Sequence, residues 1–404
     1  MVAKRNVPRS ILAAAMILAS AGAALAEVPC RTSGSFEQWL QGVRRDAAAQ
    51  GISQRAIEAG LSGVAYDPAI IKRDHGQGVF QQSFLQFSDR MVSSDRMSRG
   101  PRLLRQHADL FRRIEAQYGV PGAVLVAFWG LETDFGSDMG KYRAPNSVAT
   151  LAYDCRRAEM FRAELMGLLK VVDRGDLQPR EMIGDWAGEL GHLMFSPHDY
   201  ARYGVDADGD GRADVIHSLP DAMASGANFL KALGWRRGEP WLESVQAPAD
   251  MDWSKADPSV RASRADWAAV GVRKSDGSAL ARGGPEAWLW LPMGREGPAF
   301  LAYPNFDAYL GWNKAMVYAT TAAYYAARLD GAPPLARGRG KVVTLSTEEV
   351  KRLQTLLARR GFSDEEPDGR IGSATRAATR KAQMALGLPA DAYPDAALIA
   401  ALSR

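Results

Sequence analysis

The chain has 404 residues, with 50 Lys and Arg against 46 Asp and Glu, two cysteines and a formal net charge of +4. That length calls for more than one domain. The positive surplus lies in the first residues and in 331–404, leaving 27–330 slightly acidic; this excludes an ordinary nucleic-acid enzyme, whose working surface concentrates positive charge.

Lys4, Arg5 and Arg9 precede an alanine-rich apolar run over 11–25 that ends in Ala24-Leu25-Ala26. The pattern reads as a secretory signal over 1–26, cleaved after Ala26. A membrane anchor is the weaker reading, because the run is shorter than a span needs. A lipid anchor would need a small residue before its cysteine, and Cys30 follows Val28-Pro29. No other stretch is long and apolar enough to cross a bilayer, so the expected location is the periplasm. In an oxidising compartment Cys30 and Cys155 are expected to form one disulfide tying the N-terminal segment to the body; two buried free thiols are the alternative.

Helical periodicity then recurs over 36–59, 103–118, 158–172, 220–233 and 313–329, so the body is mainly α. The region 241–305 breaks the pattern with short apolar runs, Trp288-Leu-Trp-Leu291 and Phe300-Leu-Ala-Tyr303, separated by Gly and Pro, and is expected to hold a small β element. A Pro/Gly/Arg-rich linker occupies 331–343. Beyond it, 347–360 and 373–386 read as two amphipathic helices of a small three-helix module over 344–404.

The segment Pro121-Gly-Ala-Val-Leu-Val-Ala-Phe-Trp-Gly-Leu-Glu132 begins with proline at a plausible helix start and continues with apolar residues. At about 100° per residue Glu132 falls between Leu125 and Phe128 on the apolar face. Ionisation is disfavoured there, so the carboxyl should hold its proton near neutral pH, as a general acid must. A helix-end glutamate that caps or pairs with an arginine is the competing reading.

What surrounds it resembles the membrane-bound lytic transglycosylase B family: Glu132-Thr-Asp-Phe-Gly136, Met139-Gly-Lys-Tyr-Arg143, Arg156-Arg-Ala-Glu-Met-Phe161, Trp186-Ala-Gly-Glu-Leu-Gly191, Leu219-Pro-Asp-Ala222, Gly234-Trp235, Pro304-Asn-Phe306 and Trp312-Asn313. The resemblance covers nearly all of 31–330. It implies a lysozyme-like, goose-type-like fold with Glu132 as the single catalytic acid/base. Arg156, Arg157, Met194, Phe195, Pro197, Phe229, Trp312 and Tyr318 match substrate-groove positions. The implied reaction cleaves the MurNAc-GlcNAc β-1,4 bond of peptidoglycan. The glutamate protonates the glycosidic oxygen and then, as base, releases the sugar's own C6 hydroxyl to form a 1,6-anhydroMurNAc end; ordinary glycosidases need two carboxylates instead. The expected partners are peptidoglycan glycan strands, the expected assembly is a monomer, and no cofactor is required for the chemistry.

There are departures from the family pattern. Its G-A-M-G-x-x-Q-F-M-P-S stretch is here Gly188-Glu-Leu-Gly-His-Leu-Met-Phe-Ser-Pro-His198, so Met194 replaces a sugar-binding glutamine; Phe229 replaces a tyrosine. Glu189 is an additional carboxylate, read as a surface or supporting charge, with water activation as the alternative. These changes leave open a muramidase-type hydrolase using Glu132 with Glu189 or water, and a weakly active peptidoglycan-binding scaffold.

Asp206-Ala-Asp-Gly-Asp-Gly211 has calcium-loop spacing, with oxygens from Asp206, Asp208 and Asp210, the Arg212 carbonyl at position 7, and His217 where the bidentate glutamate would be. Asp214 could contribute through water. By the resemblance, Asp221 corresponds to an acidic ligand that closes the site. A structural calcium is expected, with a solvated acidic turn as the alternative. The tail resembles the small peptidoglycan-binding domains through Leu353-Gln-x-x-Leu356, Asp368-Gly-x-x-Gly372, Thr375 and Gly387-Leu388, with Ala382 where phenylalanine is usual and Asp391-Ala392 where Asp-Gly is usual. Such a tail is expected to hold the enzyme on its polymer and raise the local substrate concentration. The five histidines show no H-E-x-x-H spacing, which excludes an ordinary zinc amidase, and there is no convincing serine or cysteine nucleophile context.

Overall fold

The structure is a computed structural model that describes Cys30, 34–76 and 82–404. The expected signal segment 1–26 lies outside the described residues.

Helices dominate the body. Two expected long helices are each broken in two. The first becomes Phe36–Ala49 and Gln54–Leu61 because Gly51 takes a left-handed φ of 82° and Ser53 restarts the chain as an N-cap, accepting from the Ala56 amide. The second becomes Ser94–Gln106 and Ala108–Tyr118, separated at His107. Periodicity alone does not register such breaks, since apolar residues resume after four residues in the first case and one in the second.

At the centre lies helix Gly122–Thr133, in which every residue except Glu132 is buried. Pro121 stands just before it as the N-cap. The apolar residues surround this helix on all sides, as in a helix enclosed by others. Met316–Leu329, Ser94–Gln106, Ala108–Tyr118 and Leu219–Ala232 pack around it. Glycines permit two of these approaches: a Cβ on Gly122 would sit 2.8 Å from Phe111 of Ala108–Tyr118, and one on Gly130 would sit 3.1 Å from Tyr325 of Met316–Leu329.

The strands are few. β1 (Tyr142–Arg143) pairs antiparallel with β2 (Ile183–Gly184). The expected β element is a four-stranded antiparallel sheet of β3 (Leu242–Gln246), β4 (Arg273–Lys274), β5 (Trp288–Trp290) and β6 (Ala299–Ala302), in the order β4-β3-β6-β5. Its one face joins the main core through Trp288, Trp290 and Phe300; the other builds a second core with Trp253, Trp267, Leu289 and Leu301. The alternation of β5 and β6 side chains thus serves two cores, which explains why all seven of their residues are buried.

The tail consists of Thr347–Arg359, Ser373–Ala385 and Ala396–Leu402 around its own core of Val350, Leu353, Leu357, Ala378, Ala382 and Leu398. It contains a structural repeat. The Gln354 side chain bonds Asp368 and accepts from the Gly369 amide, while Gln383 bonds Asp391 and accepts from the Ala392 amide. Cys30 and Cys155 are joined in a disulfide, and Tyr153 donates to the Gly34 carbonyl beside it. Among the described residues no helix is long and apolar enough to cross a membrane.

Candidate active site

The motif after Glu132 is a helix terminator with every residue employed. Thr133 donates its hydroxyl to the His192 carbonyl at 2.8 Å and accepts from the Gly136 amide at 3.0 Å. Asp134 turns the chain into the left-handed region, φ 49°, and is held by Arg96 at 3.1 Å and Arg99 at 2.9 Å. Phe135 follows at φ 61° under the Arg99 guanidinium, 4.7 Å from its ring centroid. Gly136 must be glycine, because its φ is 82° and a Cβ would lie 2.8 Å from His192. Trp129 donates to His192 Nδ1 at 3.0 Å, and burial pushes the His192 pKa down, so this ring stays neutral with Nδ1 as acceptor. Two consecutive non-glycine residues at positive φ are costly, and the surrounding bonds hold them.

That terminator fixes the carboxyl. Oε1 of Glu132 accepts from the Tyr318 hydroxyl and from Trp312 Nε1, the latter at 3.2 Å. Burial raises the Glu132 pKa to about 7; the bonds from Tyr318 and Trp312 pull it back, and the charge of Asp185 adds to the rise. With Oε1 taken by two donors, Oε2 is the oxygen left to carry the proton. Glu132 itself is only half-buried, so the carboxyl is not sealed in the core.

Aromatic rings form the wall beside it. Trp312 stacks on Phe128 at 4.3 Å and contacts Phe229 at 5.2 Å and Phe195 at 5.8 Å. Phe229 in turn stacks on Tyr203 at 4.8 Å. The structure therefore brings Glu132, Trp312, Tyr318, Phe195 and Phe229 into one constellation. Phe195, Phe229 and Pro197 are buried and back the wall, whereas Trp312, Tyr318 and Met194 are half-exposed. Met194 occupies a left-handed turn, φ 49°. Pro197 opens helix Pro197–Tyr203, which lies so close to helix Ala158–Arg174 that a Cβ on Gly167 would meet the His198 backbone at 2.5 Å.

Arg156 and Arg157 form a separate cluster in which both bond the buried carboxylate of Asp74. Glu189, expected as a surface or supporting charge, is half-buried. Its pKa is pushed well up by burial and then by Asp185, Glu132 and Glu164, and pulled down by Arg157. Its carboxyl therefore feels the charges of both Glu132 and Arg157. Asp185 accepts from the Ala187 and Glu189 amides at 2.8 and 2.9 Å, which shapes this loop. Asp74, Asp185 and His192 escaped the sequence reading. No spacing marks them, since each acts across 50 residues or more or through a tight loop.

The acidic loop is ordered by its own backbone. Asp206 accepts from Gly209 and Gly211, Asp208 from Asp210 and Ser218, and Asp210 from Arg212. The carboxylates of Asp206, Asp208 and Asp210 converge within 4.8 Å of one another and are exposed. Asp221 is buried beneath them, accepting the amides of Ala207, Asp208 and Asp214. Three converging carboxylates supply the hard oxygen donors that calcium prefers.

The model of the Transglycosylase SLT domain family matches residues 35–327. The chain belongs to that family. A second match, to the peptidoglycan binding domain family, covers residues 346–402. Membrane-bound lytic murein transglycosylase B of Escherichia coli is 30% identical over 240 residues, covering 59% of this chain. The match spans 64% of that relative's length, just under two thirds. Among solved structures, SltB3 from Pseudomonas aeruginosa in complex with NAG-anhNAM-pentapeptide is similar with a TM-score of 0.85 and 38% identity, over 92% of this chain and all of that one. The Escherichia coli lytic transglycosylase Slt35 in complex with calcium is similar with a TM-score of 0.60 and 26% identity, over 72% of this chain and 92% of that one. The fold of this SLT-family chain is thus mainly helical and lysozyme-like, with a small helical C-terminal domain.

Proposed function

We propose that this chain is a lytic transglycosylase that cleaves the MurNAc-GlcNAc β-1,4 bond of peptidoglycan and leaves 1,6-anhydroMurNAc ends, with Glu132 as its one acid/base. The observation that carries this reading is the Glu132 carboxyl, raised to about 7 at the end of a buried helix and held through Oε1 by Tyr318 and Trp312. The proton on Oε2 passes to the glycosidic oxygen as the C1–O bond breaks. The ionised carboxylate is stabilised by its two donors, then takes the proton of the C6 hydroxyl as that oxygen bonds to C1. Atoms balance without water, and one carboxylate completes the cycle.

A hydrolase would need a second carboxylate ionised as a base for water. Glu189 is the candidate that the sequence offers, and burial together with the charges of Asp185, Glu132 and Glu164 raises its pKa, which weighs against the ionised form that role requires. Residues 31–330 are proposed as the catalytic domain, with Arg156, Arg157, Met194, Phe195, Pro197, Phe229, Trp312 and Tyr318 forming the substrate groove. Residues 331–343 are the linker and 344–404 the wall-binding domain, on a periplasmic protein exported by its first 26 residues. A structural calcium is proposed at Asp206, Asp208, Asp210, the Arg212 carbonyl and Asp221, the last also bracing the loop through the Ala207, Asp208 and Asp214 amides; an ion bound there would screen the carboxylates from one another.

Mass spectrometry of peptidoglycan digested by the purified protein tests the reaction. Anhydro-muramyl products are expected. Reducing ends would establish the muramidase alternative, and an absence of released fragments the scaffold alternative.

A further inference from the structure

The groove reading of Arg156 and Arg157 leaves open how two adjacent cations on a loop are held ready for a ligand. Their partner, Asp74, stands at the end of helix Pro68–His75, with its side chain 2% exposed. Its Oδ2 accepts from Arg156 Nε at 2.6 Å and its backbone carbonyl from Arg156 Nη2 at 3.2 Å, while Oδ1 accepts from Arg157 Nη2. Although burial opposes ionisation, the two arginines hold the Asp74 carboxyl below its ordinary range. The arginine side chains are 44% and 34% exposed, so each is anchored on Asp74 and still reaches solvent. Arg157 also lies over the Phe161 ring at 4.8 Å. The loop beneath is tied as well: Asp154 accepts from the Arg156 amide and faces His75 Nε2, each at 3.3 Å, and Cys155 carries the disulfide.

We infer that Asp74 is a positioning residue for substrate binding, fixing Arg156 and Arg157 as one unit with a single net positive charge whose outer N–H groups meet an anionic or carbonyl oxygen of the peptidoglycan. The inference rests on the reading that these arginines bind substrate. A buried carboxylate suits the task, because guanidinium is planar and takes a fixed direction from each bond it makes. Without Asp74 the two cations repel and sample many rotamers, and that freedom is lost again at each binding event.

The test is steady-state kinetics on soluble peptidoglycan fragments. Asp74→Asn, nearly isosteric, is expected to raise KM roughly tenfold while kcat stays within about twofold, the signature of lost ground-state binding. In an Arg156→Ala/Arg157→Ala background KM is already raised, and Asp74→Asn adds nothing further. Arg156→Lys/Arg157→Lys keeps both charges but loses the fixed geometry; it is expected to raise KM as Asp74→Asn does, and it provides the readout if Asp74→Asn folds poorly. An unchanged KM in the lysine variant, or an equal extra effect of Asp74→Asn in both backgrounds, would overturn the positioning role and leave the groove reading standing. An unchanged KM in the double alanine variant would instead remove the groove reading, and the inference with it.

Discussion

In the proposed reaction Glu132 must keep a proton at neutral pH and yet be stable without it midway through a turnover, and its neighbours divide those demands. Burial raises the pKa to about 7, while the Tyr318 hydroxyl and the Trp312 indole stabilise the ionised form. Activity should therefore fall as pH rises through about 7, where the acid form is lost. Tyr318→Phe removes an ionised-state donor, so the alkaline limb of the kcat profile should move upward in pH while kcat drops about ten- to a hundredfold. An unshifted limb in that variant would separate the limb from Glu132. The same residue sets a stability cost. The folded chain holds this proton above the ordinary 4.5, so stability falls as pH climbs from about 4.5 to about 7 and does not recover above it. Glu132→Gln should thus abolish cleavage and, at pH 8, raise stability by about 1–3 kcal/mol in urea unfolding. Ala392 carries a different strain. It repeats the place of Gly369 in the tail but takes φ 59° with a Cβ. Ala392→Gly should stabilise the tail by up to about 1 kcal/mol, the left-handed penalty less the entropy that glycine loses on folding.

At the scale of elements, the helix that carries Glu132 and its terminator were legible because their residues are local. Proline before the start, a continuous apolar run and Glu132-Thr-Asp-Phe-Gly136 at the end fixed the helix to within a residue. The helix breaks at Gly51 and His107 were not legible, since apolar residues recur on both sides of a break this short. Nor was the Asp74 clamp, which joins residues 82 positions apart. The acidic loop lies between these cases: its spacing identifies Asp206, Asp208 and Asp210, but only the fold reveals that Asp221 is occupied with three backbone amides. That division of labour has a measurable consequence. Asp208→Ala should lower Tm by several degrees in calcium, where a carboxylate ligand is lost, and much less in chelator, where only its bonds to Asp210 and Ser218 go. Identical shifts in both buffers would remove the ion from the loop.

On the scale of the whole molecule, the linker and tail are fastened to the body. The Arg339 and Gly340 amides donate to the Glu296 carbonyl, Arg339 Nη2 donates to the Arg295 carbonyl at 2.8 Å, and Arg337 pairs with Asp89 at 2.9 Å. Arg376 reaches from the tail to the Leu291 and Pro292 carbonyls, with its guanidinium 4.5 Å from the Trp290 centroid and 5.5 Å from that of Tyr393. Burial lowers its pKa to about 10, against the pull of Tyr393 and Asp391, so it remains charged at neutral pH. Arg380 pairs with Asp257, and Arg295 with Asp391 at 3.1 Å. A tail held this way adds to retention on a polymer through a fixed geometry; the effective concentration it supplies does not follow the length of a free linker. The fastening should also make unfolding cooperative. Arg376→Ala deletes two charge-assisted bonds and one ring contact, that with Trp290, between tail and body, removing about 2–4 kcal/mol of docking free energy. Calorimetry should then resolve a separate, earlier transition for 344–404, where the parent protein gives one. A single unshifted transition in the variant would mean that the contacts of Arg295, Arg337, Arg339 and Arg380 suffice to hold the tail in place.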